Sequence, residues 1–243
     1  MVPGVATVND MICWQKKVFK LERSLISKIM KNKAEIFWDK QAVRFDNNQK
    51  KFEIASSEII SRTKEYLNPD DNVLDFGCAT GTKTMELAGG VRHIHGLDIS
   101  SEMISLAIKK LNAGNVKNAS FSFGTIFKDD LGKATFDKII AYSIIHLLDD
   151  SEKVILRINE LLKPGGLFIS ETACFRDRMS FGTRLEFASY RLMKRLGIFP
   201  LHLNMFTAAD VEQLIGSQNF NILKAEKLFF NGMTISLIVA EKV

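Results

Sequence analysis

Val73-Leu74-Asp75-Phe76-Gly77-Cys78-Ala79-Thr80-Gly81-Thr82 is the stretch that decides the fold. An apolar strand runs into a glycine-bearing turn, and a helical pattern starts at Thr82. Glycines in such a turn let the backbone approach a ligand, and the first turn of a helix offers N–H groups with no intrahelical partner. Those donors suit a carboxylate or a phosphate equally. The spacing is more selective. A dinucleotide-binding turn reads G-x-G-x-x-G, whereas this one reads Asp75-x-Gly77-x-x-x-Gly81. A carboxylate ahead of the first glycine repels a pyrophosphate and attracts an ammonium, so the turn suits a ligand carrying an amine and a carboxylate, as an amino acid does.

Outward from this turn, short apolar strands alternate with helical patterns. Strands are expected at 72–76, 93–97, 119–123, 136–141 and 167–171, with helices near 82–88, 102–111 and 152–162. This alternation predicts a doubly wound α/β domain with a mostly parallel sheet. Lys163-Pro164-Gly165-Gly166 stops a helix and turns into the fifth strand. Asn231-Gly232, between 221–230 and 234–240, is a hairpin signal that adds two antiparallel strands and makes seven. Thr207 is placed to cap a helix at 208–215. Ahead of the sheet, Val18, Leu21, Leu25 and Ile29 follow helical steps, and further amphipathic stretches hold Ile36-Phe37-Trp38 and 52–66. These divide the chain into an N-terminal helical cap, 1–66, and a main domain, 67–243, with a helical lid inserted at about 176–206.

Asp98 ends the second strand, 17 residues beyond Gly81. Adjacent parallel strands bring their carboxyl ends to one crevice, so Asp98 is placed to accept both hydroxyls of a ribose while Ile99 and Met103 cover an adenine. An amino acid joined to an adenosine is S-adenosylmethionine.

At this point the chain resembles the class I S-adenosylmethionine-dependent methyltransferases over roughly 37–243. Asp75-Phe76-Gly77-Cys78-Ala79-Thr80-Gly81 is similar to their first motif, with Ala79 in place of the middle glycine. Asp98 matches their ribose-binding acid, Leu162-Lys163-Pro164-Gly165-Gly166 their late turn, and the hairpin their last two strands. The resemblance implies cofactor contacts from Asp75, Gly77, Cys78, Ala79, Gly81, Asp98, Ile99, Met103, Gly124, Thr125, Ile126 and Ala141. Where the family's third strand ends Gly-Asp, this one ends Gly124-Thr125, so the adenine contact falls to a hydroxyl or to backbone. Phe136 to His146 is similar to the branch that methylates ubiquinone, menaquinone and other small molecules. Phe45 and Trp38 lie in an aromatic segment that in such enzymes folds over the cofactor.

Methyl transfer from a sulfonium is an in-line displacement, and holding the acceptor behind the methyl group supplies much of the catalysis. A general base matters only for an acceptor that arrives protonated. His146, just after the fourth strand, is the candidate base, and Tyr142 is a second catalytic candidate that also lines the pocket. Arg176, Arg184, Tyr190 and His202, in and beside the lid, are candidate contacts for an apolar, negatively charged acceptor, with Trp38 facing them. The Asn/Asp-Pro-Pro-aromatic motif of amino-methylating nucleic-acid enzymes is absent after the fourth strand, as is the Pro-Cys nucleophile of cytosine C5 enzymes.

Of the 243 residues, 46% are hydrophobic and 25% charged, enough to bury a core. The net charge of +5 sits at the front: Met1 to Lys51 holds 11 Lys/Arg against 5 Asp/Glu. Such an arm suits RNA or protein as a rival methyl acceptor, though ordinary solvated helix faces carry the same pattern; a non-catalytic S-adenosylmethionine-binding scaffold is the other alternative. No apolar run is long enough to span a bilayer, and Met1 to Asp10 has no secretory pattern. Cys13, Cys78 and Cys174 lack metal-ligand spacing. The expectation is a cytoplasmic enzyme, monomer or homodimer, with a small or lipid-like acceptor, no metal, no nucleic acid, and peripheral membrane contact left open.

Overall fold

A computed structural model describes residues 33–196 and 201–243; the helical pattern of Val18 to Ile29 lies outside them. Seven helices are described: α1 (Lys33–Gln49), α2 (Glu53–Lys64), α3 (Thr82–Leu87), α4 (Ser101–Ala113), α5 (Ser151–Leu161), α6 (Phe181–Arg195) and α7 (Ala208–Gly216). Seven strands, β1 (Asn72–Phe76), β2 (His93–Asp98), β3 (Ala119–Phe123), β4 (Phe136–Tyr142), β5 (Leu162–Ala173), β6 (Phe220–Phe230) and β7 (Met233–Lys242), form one sheet in the order β3-β2-β1-β4-β5-β7-β6. The first five run parallel, and β7 lies antiparallel between β5 and β6. This is the doubly wound, mostly parallel sheet with an antiparallel C-terminal hairpin that the sequence predicts.

Burial explains why each strand reads as it does. In β1 and β4 nearly every side chain is buried, because helices cover both faces. β6, at the edge, is buried only at Phe220 and alternates exposed and half-buried residues thereafter. On one face Ile155, Ile158, Val211 and Ile215, from α5 and α7, pack with Leu74, Ile139 and Phe168. On the other, Ile59 and Ile60 of α2 and Leu87 of α3 pack with Val73, Ile94, Ile140 and Ile169. Thus α2 is a layer of the same core as the sheet. Between β2 and β3 a polar ladder closes the sheet surface: His95 Nδ1 and Nε2 lie 2.8 Å from Ser120 Oγ and Ser122 Oγ, and His93 Nε2 lies 2.9 Å from Ser120 Oγ.

Helix starts follow local chemistry. Ser100, Asp150 and Ser180 each accept from a backbone N–H three residues on, and Thr207 forms a complete capping box with Asp210. Within the helical insertion expected at about 176–206, the helix begins only at Phe181, because Met179 bridges to Met233 and Ser180 caps. Lys163 to Gly166 differs from expectation in a similar way. β5 already pairs at Leu162 with Phe136, and the Pro-Gly-Gly segment is absorbed as an irregularity before pairing resumes between Lys138 and Leu167.

The hairpin turn has positive φ at both central residues, 49° at Asn231 and 78° at Gly232, as a type I′ turn requires. It also holds the lid, since Ser180 N donates to Gly232 O at 2.7 Å. A Cβ added to Gly232 would stand 2.4 Å from Ser180 Oγ and 2.5 Å from Thr183 Oγ1. Gly232→Ala therefore combines left-handed strain with a clash at the α6 cap. Its expected cost is about 2 kcal/mol in chemical denaturation, and a neutral result would refute this account of the turn.

Candidate functional site

The order of strands reverses between β1 and β4, and there the loops leaving their carboxyl ends diverge to form a crevice. The turn after β1 forms one wall. Gly77, Ala79 and Gly81 have φ of 80°, 49° and 72°, and Gly77 N and Cys78 N both donate to Leu97 O. The path leaves no room for side chains. A Cβ on Gly77 would meet Ile144 Cδ1 at 2.5 Å, and one on Gly81 would meet Phe121 Cζ at 2.5 Å.

Two carboxylates flank this turn. Asp75 is 2% exposed and accepts from Thr84 Oγ1 at 2.6 Å. Burial pushes its carboxyl up to about 6, with the charge of Asp98 adding to the rise and Thr84 and Lys83 opposing it. Asp98 lies in the loop's concavity, where Oδ2 accepts from Ala79 N at 2.9 Å and Oδ1 from Ser100 N at 2.8 Å. Burial raises its carboxyl too, against the pull of those N–H donors. The Cys78 thiol sits between the two carboxylates; burial and both negative charges push it far above its ordinary value. It is a neutral packing group, consistent with a side chain only 7% exposed.

α1 lies across this wall and is fastened twice. Asp39 Oδ1 accepts from Ser100 Oγ at 2.7 Å and from Glu102 N at 3.2 Å, at the start of α4. Seven residues on, Asp46 accepts from Thr80 Oγ1 and pairs with Lys110 at 2.6 Å, while Lys110 also donates to Thr80 and Thr82. Trp38 and Phe45 stand on the same helix, edge to face at 6.3 Å. Asp39, Asp46 and Lys110 were not signalled by any motif, and Thr80 lies inside the first motif without a role assigned to it. The i, i+7 spacing of Asp39 and Asp46 on a helix is the one trace in the sequence, and it becomes meaningful only once α1 is known to cross the turn.

The second wall follows β4. Ser143 has φ of 53°; its N–H donates to Glu171 O at 2.8 Å and its Oγ to Glu171 Oε2 at 2.6 Å. Glu171, 5% exposed near the end of β5, is another residue the motifs do not signal. His146 follows on a short 3₁₀ turn, 7% exposed, and its Nδ1 has no hydrogen-bond partner among the described residues. Burial pulls its imidazole down to about 4, so it is neutral at physiological pH. Its ring meets Phe175 edge-on at 5.4 Å, and Phe175 stacks on Phe187, the buried residue of α6, at 4.6 Å. The lid is thus tied to the β4 loop through aromatic rings. Asn204 strengthens the tie: its N–H donates to His146 O and its Nδ2 to Leu148 O, each at 2.7 Å.

Several expected contacts stand elsewhere. Tyr142 points to the α2 side of the sheet, where its hydroxyl donates to Thr63 Oγ1 at 2.5 Å and Lys83 Nζ lies 5.2 Å from its ring. Burial raises its phenol far beyond any working pH, so it is no proton carrier and not an open pocket wall. Ile126 and Ala141 are fully buried in the core on the α5 and α7 side, leaving their backbone as the part that can meet a ligand. Met103 is also buried, whereas Thr125 is exposed beyond Gly124, whose N–H donates to Asp98 O at 2.8 Å. Arg176 is at the surface, 3.4 Å from Asp210. Arg184 and Tyr190 lie on the exposed side of α6. His202 is exposed too, with Nε2 2.9 Å from Asn204 Oδ1 and Nδ1 3.6 Å from Asp149.

A methyltransferase-domain model matches residues 67–225. A methyltransferase of Bacillus cytotoxicus is 28% identical over 189 residues, spanning 75% of this chain and 86% of that one. Phosphoethanolamine N-methyltransferase 2 of Caenorhabditis elegans is 31% identical over 111 residues, 45% of this chain but only 25% of the relative. Among solved structures, a SAM-dependent methyltransferase from Methanosarcina mazei has a TM-score of 0.60 at 21% identity, covering 74% of this chain and 95% of its own. Phosphoethanolamine N-methyltransferase 2 of Haemonchus contortus, bound to S-adenosylhomocysteine, has a TM-score of 0.62 at 15% identity, covering 76% and 52%. With the domain model spanning well over half of its length, the chain belongs to the methyltransferase-domain family, and its cofactor is S-adenosylmethionine.

Proposed function

We propose that the enzyme methylates a small or lipid-like acceptor, and that the crevice between the β1 and β4 loops is where it does so. One observation carries the assignment of the crevice. Asp75 and Asp98 flank a single turn closely enough for the charge of one to raise the other. Two crowded carboxylates, both raised by burial, fit a cationic ligand that offers an ammonium and ribose hydroxyls. On this reading Asp75 faces the amine, directly or through the turn; Gly77, Cys78, Ala79 and Gly81 supply backbone; Asp98 takes the ribose. Ile99, Gly124 and Thr125 border the base, and α1 closes over it with Trp38 and Phe45.

When bound, the cofactor supplies an electrophilic methyl group. The protein's own work is then to hold the acceptor in line and keep water away, which in favourable cases is worth about 7–11 kcal/mol. His146 is neutral above about pH 4, so it can take a proton from an acceptor throughout the physiological range. Glu171, buried near the end of β5 and held by Ser143, suits orientation of a polar acceptor group. The phosphoethanolamine enzymes among the similar proteins support a small acceptor. Quinols, on the resemblance of the β4 segment, form a second acceptor class. Radiolabelled methyl transfer to phosphoethanolamine, quinols and fatty acids, run beside RNA and protein, tests the class; label found only in RNA or protein would overturn it.

The raised carboxyl of Asp75 gives cofactor binding a pH dependence of defined sign. An ammonium favours the ionised acid, so below about pH 6 binding must first drive a proton off Asp75. Affinity for S-adenosylhomocysteine should climb roughly tenfold per pH unit below pH 6 and level off above it. The same raised value means that Asp75 stabilises the cofactor-free fold most when protonated, below its ordinary value near 4, and that this contribution is lost as pH rises through 6. Asp75→Asn should therefore raise the cofactor-free stability at pH 7.5 by about 2 kcal/mol while removing the shift produced by S-adenosylhomocysteine. Calorimetry and thermal melts measure both, and an Asp75→Asn protein that still binds with the same pH profile would sink the assignment.

His146→Ala should lower kcat by about 100-fold on a protonated acceptor, with cofactor affinity unchanged. An unaltered kcat would show that His146 serves only to seat the lid on Phe175.

A further inference from the structure

α6 has a second apolar face, which no described residue buries. Phe187 faces inward and is buried against Phe175. Phe181, Leu185 and Leu192, with Leu196 just beyond the helix, are 83, 66, 58 and 64% exposed. Their spacing of i, i+4, i+11 and i+15 puts them on one stripe of the helix. Single exposed leucines are ordinary, but a continuous stripe marks an interaction surface. Arg184, Arg191 and Arg195, at i, i+7 and i+11, form an exposed row along one border of that stripe. Lys194 adds a fourth cation, and Glu186 is the helix's only acid.

Charge decides among the occupants. A second copy of this chain would set one arginine row near another. Residues 1–32 carry six Lys/Arg against two Asp/Glu, the same sign again. An anionic lipid surface satisfies both halves of the helix, taking the apolar stripe at the acyl boundary and the arginines at its phosphates. At 15 residues α6 is too short to span a bilayer, and no helix among the described residues is long and apolar enough to cross one. We propose that α6 lies in the plane of an anionic membrane surface, docking the enzyme through Phe181, Leu185, Leu192 and Leu196 with Arg184, Arg191 and Arg195 at the headgroups.

The docked helix also bears on the site. Through Phe187, Phe175 and His146 it is packed on the β4 loop, so the mouth of the crevice comes to rest beside the surface from which a lipid-like acceptor would enter. That last consequence rests on the proposed acceptor class; the docking itself does not.

The test is sedimentation of the full chain with vesicles of phosphatidylcholine alone and of phosphatidylcholine mixed with phosphatidylserine, alongside light scattering for mass. The chain should sediment with the mixed vesicles only and be released by high salt. Leu185→Asp/Leu192→Asp should abolish sedimentation, and Arg191→Ala/Arg195→Ala should weaken it roughly thirtyfold, both with an unchanged circular-dichroism melt. Equal binding to both vesicle types, no binding, or insensitivity to the leucine pair would overturn the proposal. So would a fall in mass for the leucine pair without vesicle binding, which identifies the stripe as a contact between copies. Vesicle binding is read without any acceptor, so a mistaken acceptor class leaves the result intact.

Discussion

A carboxylate that is 2% exposed at the end of β1 is costly, and the rest of the site is arranged around that cost. Raising an acid from its ordinary value to about 6 corresponds to about 3 kcal/mol of disfavoured charge. Parallel pairing of β1 with β2, in which Asp75 faces Gly96 and Phe76 faces Leu97, brings Asp98 to the same edge one step later. Two acids then share one low-dielectric turn, and Thr84 and the N–H groups of Ala79 and Ser100 only partly offset the crowding. Groups held this way strongly favour a cation and gain little from an anion, which is the physical difference between this turn and a pyrophosphate cradle.

The turn's shape is preserved by neighbours that fill the space glycine leaves. Phe121 occupies the volume beside both Gly81 and Gly96, and Ile144 occupies that beside Gly77. A side chain from β3 and another from the β4 loop therefore fix the path of the loop after β1. The three loops form one packed unit, and moving any of them shifts the carboxylates. α1 joins this unit by polar bonds rather than by burial, since Ala42 and Glu35 are its buried residues. A helix held by Asp39 and Asp46 can lift from the crevice at lower cost than α2, whose Ile59 and Ile60 are sealed in the core.

Those packing rules explain what the sequence made legible. Strand and helix positions came through because β1 and β4 carry apolar side chains on both faces and Thr207 sits where a helix begins. The hairpin was readable from Asn231-Gly232, whose φ values few other pairs adopt without strain. Tyr142 was misread because strand alternation sets which face a residue joins, and a one-residue step sends the phenol to Thr63 rather than over the crevice. Ile126 and Ala141 bury their side chains in the core, which leaves only backbone for the contact the motif implies. Asp39, Asp46 and Glu171 had no motif signal, as their partners lie 28 to 64 residues away in sequence.

The lid shows how one helix serves two solvents. An amphipathic helix on a globular protein normally has one apolar stripe, and burying it satisfies the sequence. α6 buries only Phe187, yet its sequence carries enough apolar side chains for a second stripe. Folding alone does not require Phe181, Leu185 or Leu192 to be apolar, because exposed helix positions tolerate polar residues with good helix propensity. What keeps the helix in place is the Phe187–Phe175–His146 contact, the Ser180 cap and the hairpin carbonyl of Gly232. These leave the outer face available for a surface with both hydrocarbon and phosphate, and they connect whatever binds there to the loop that carries His146.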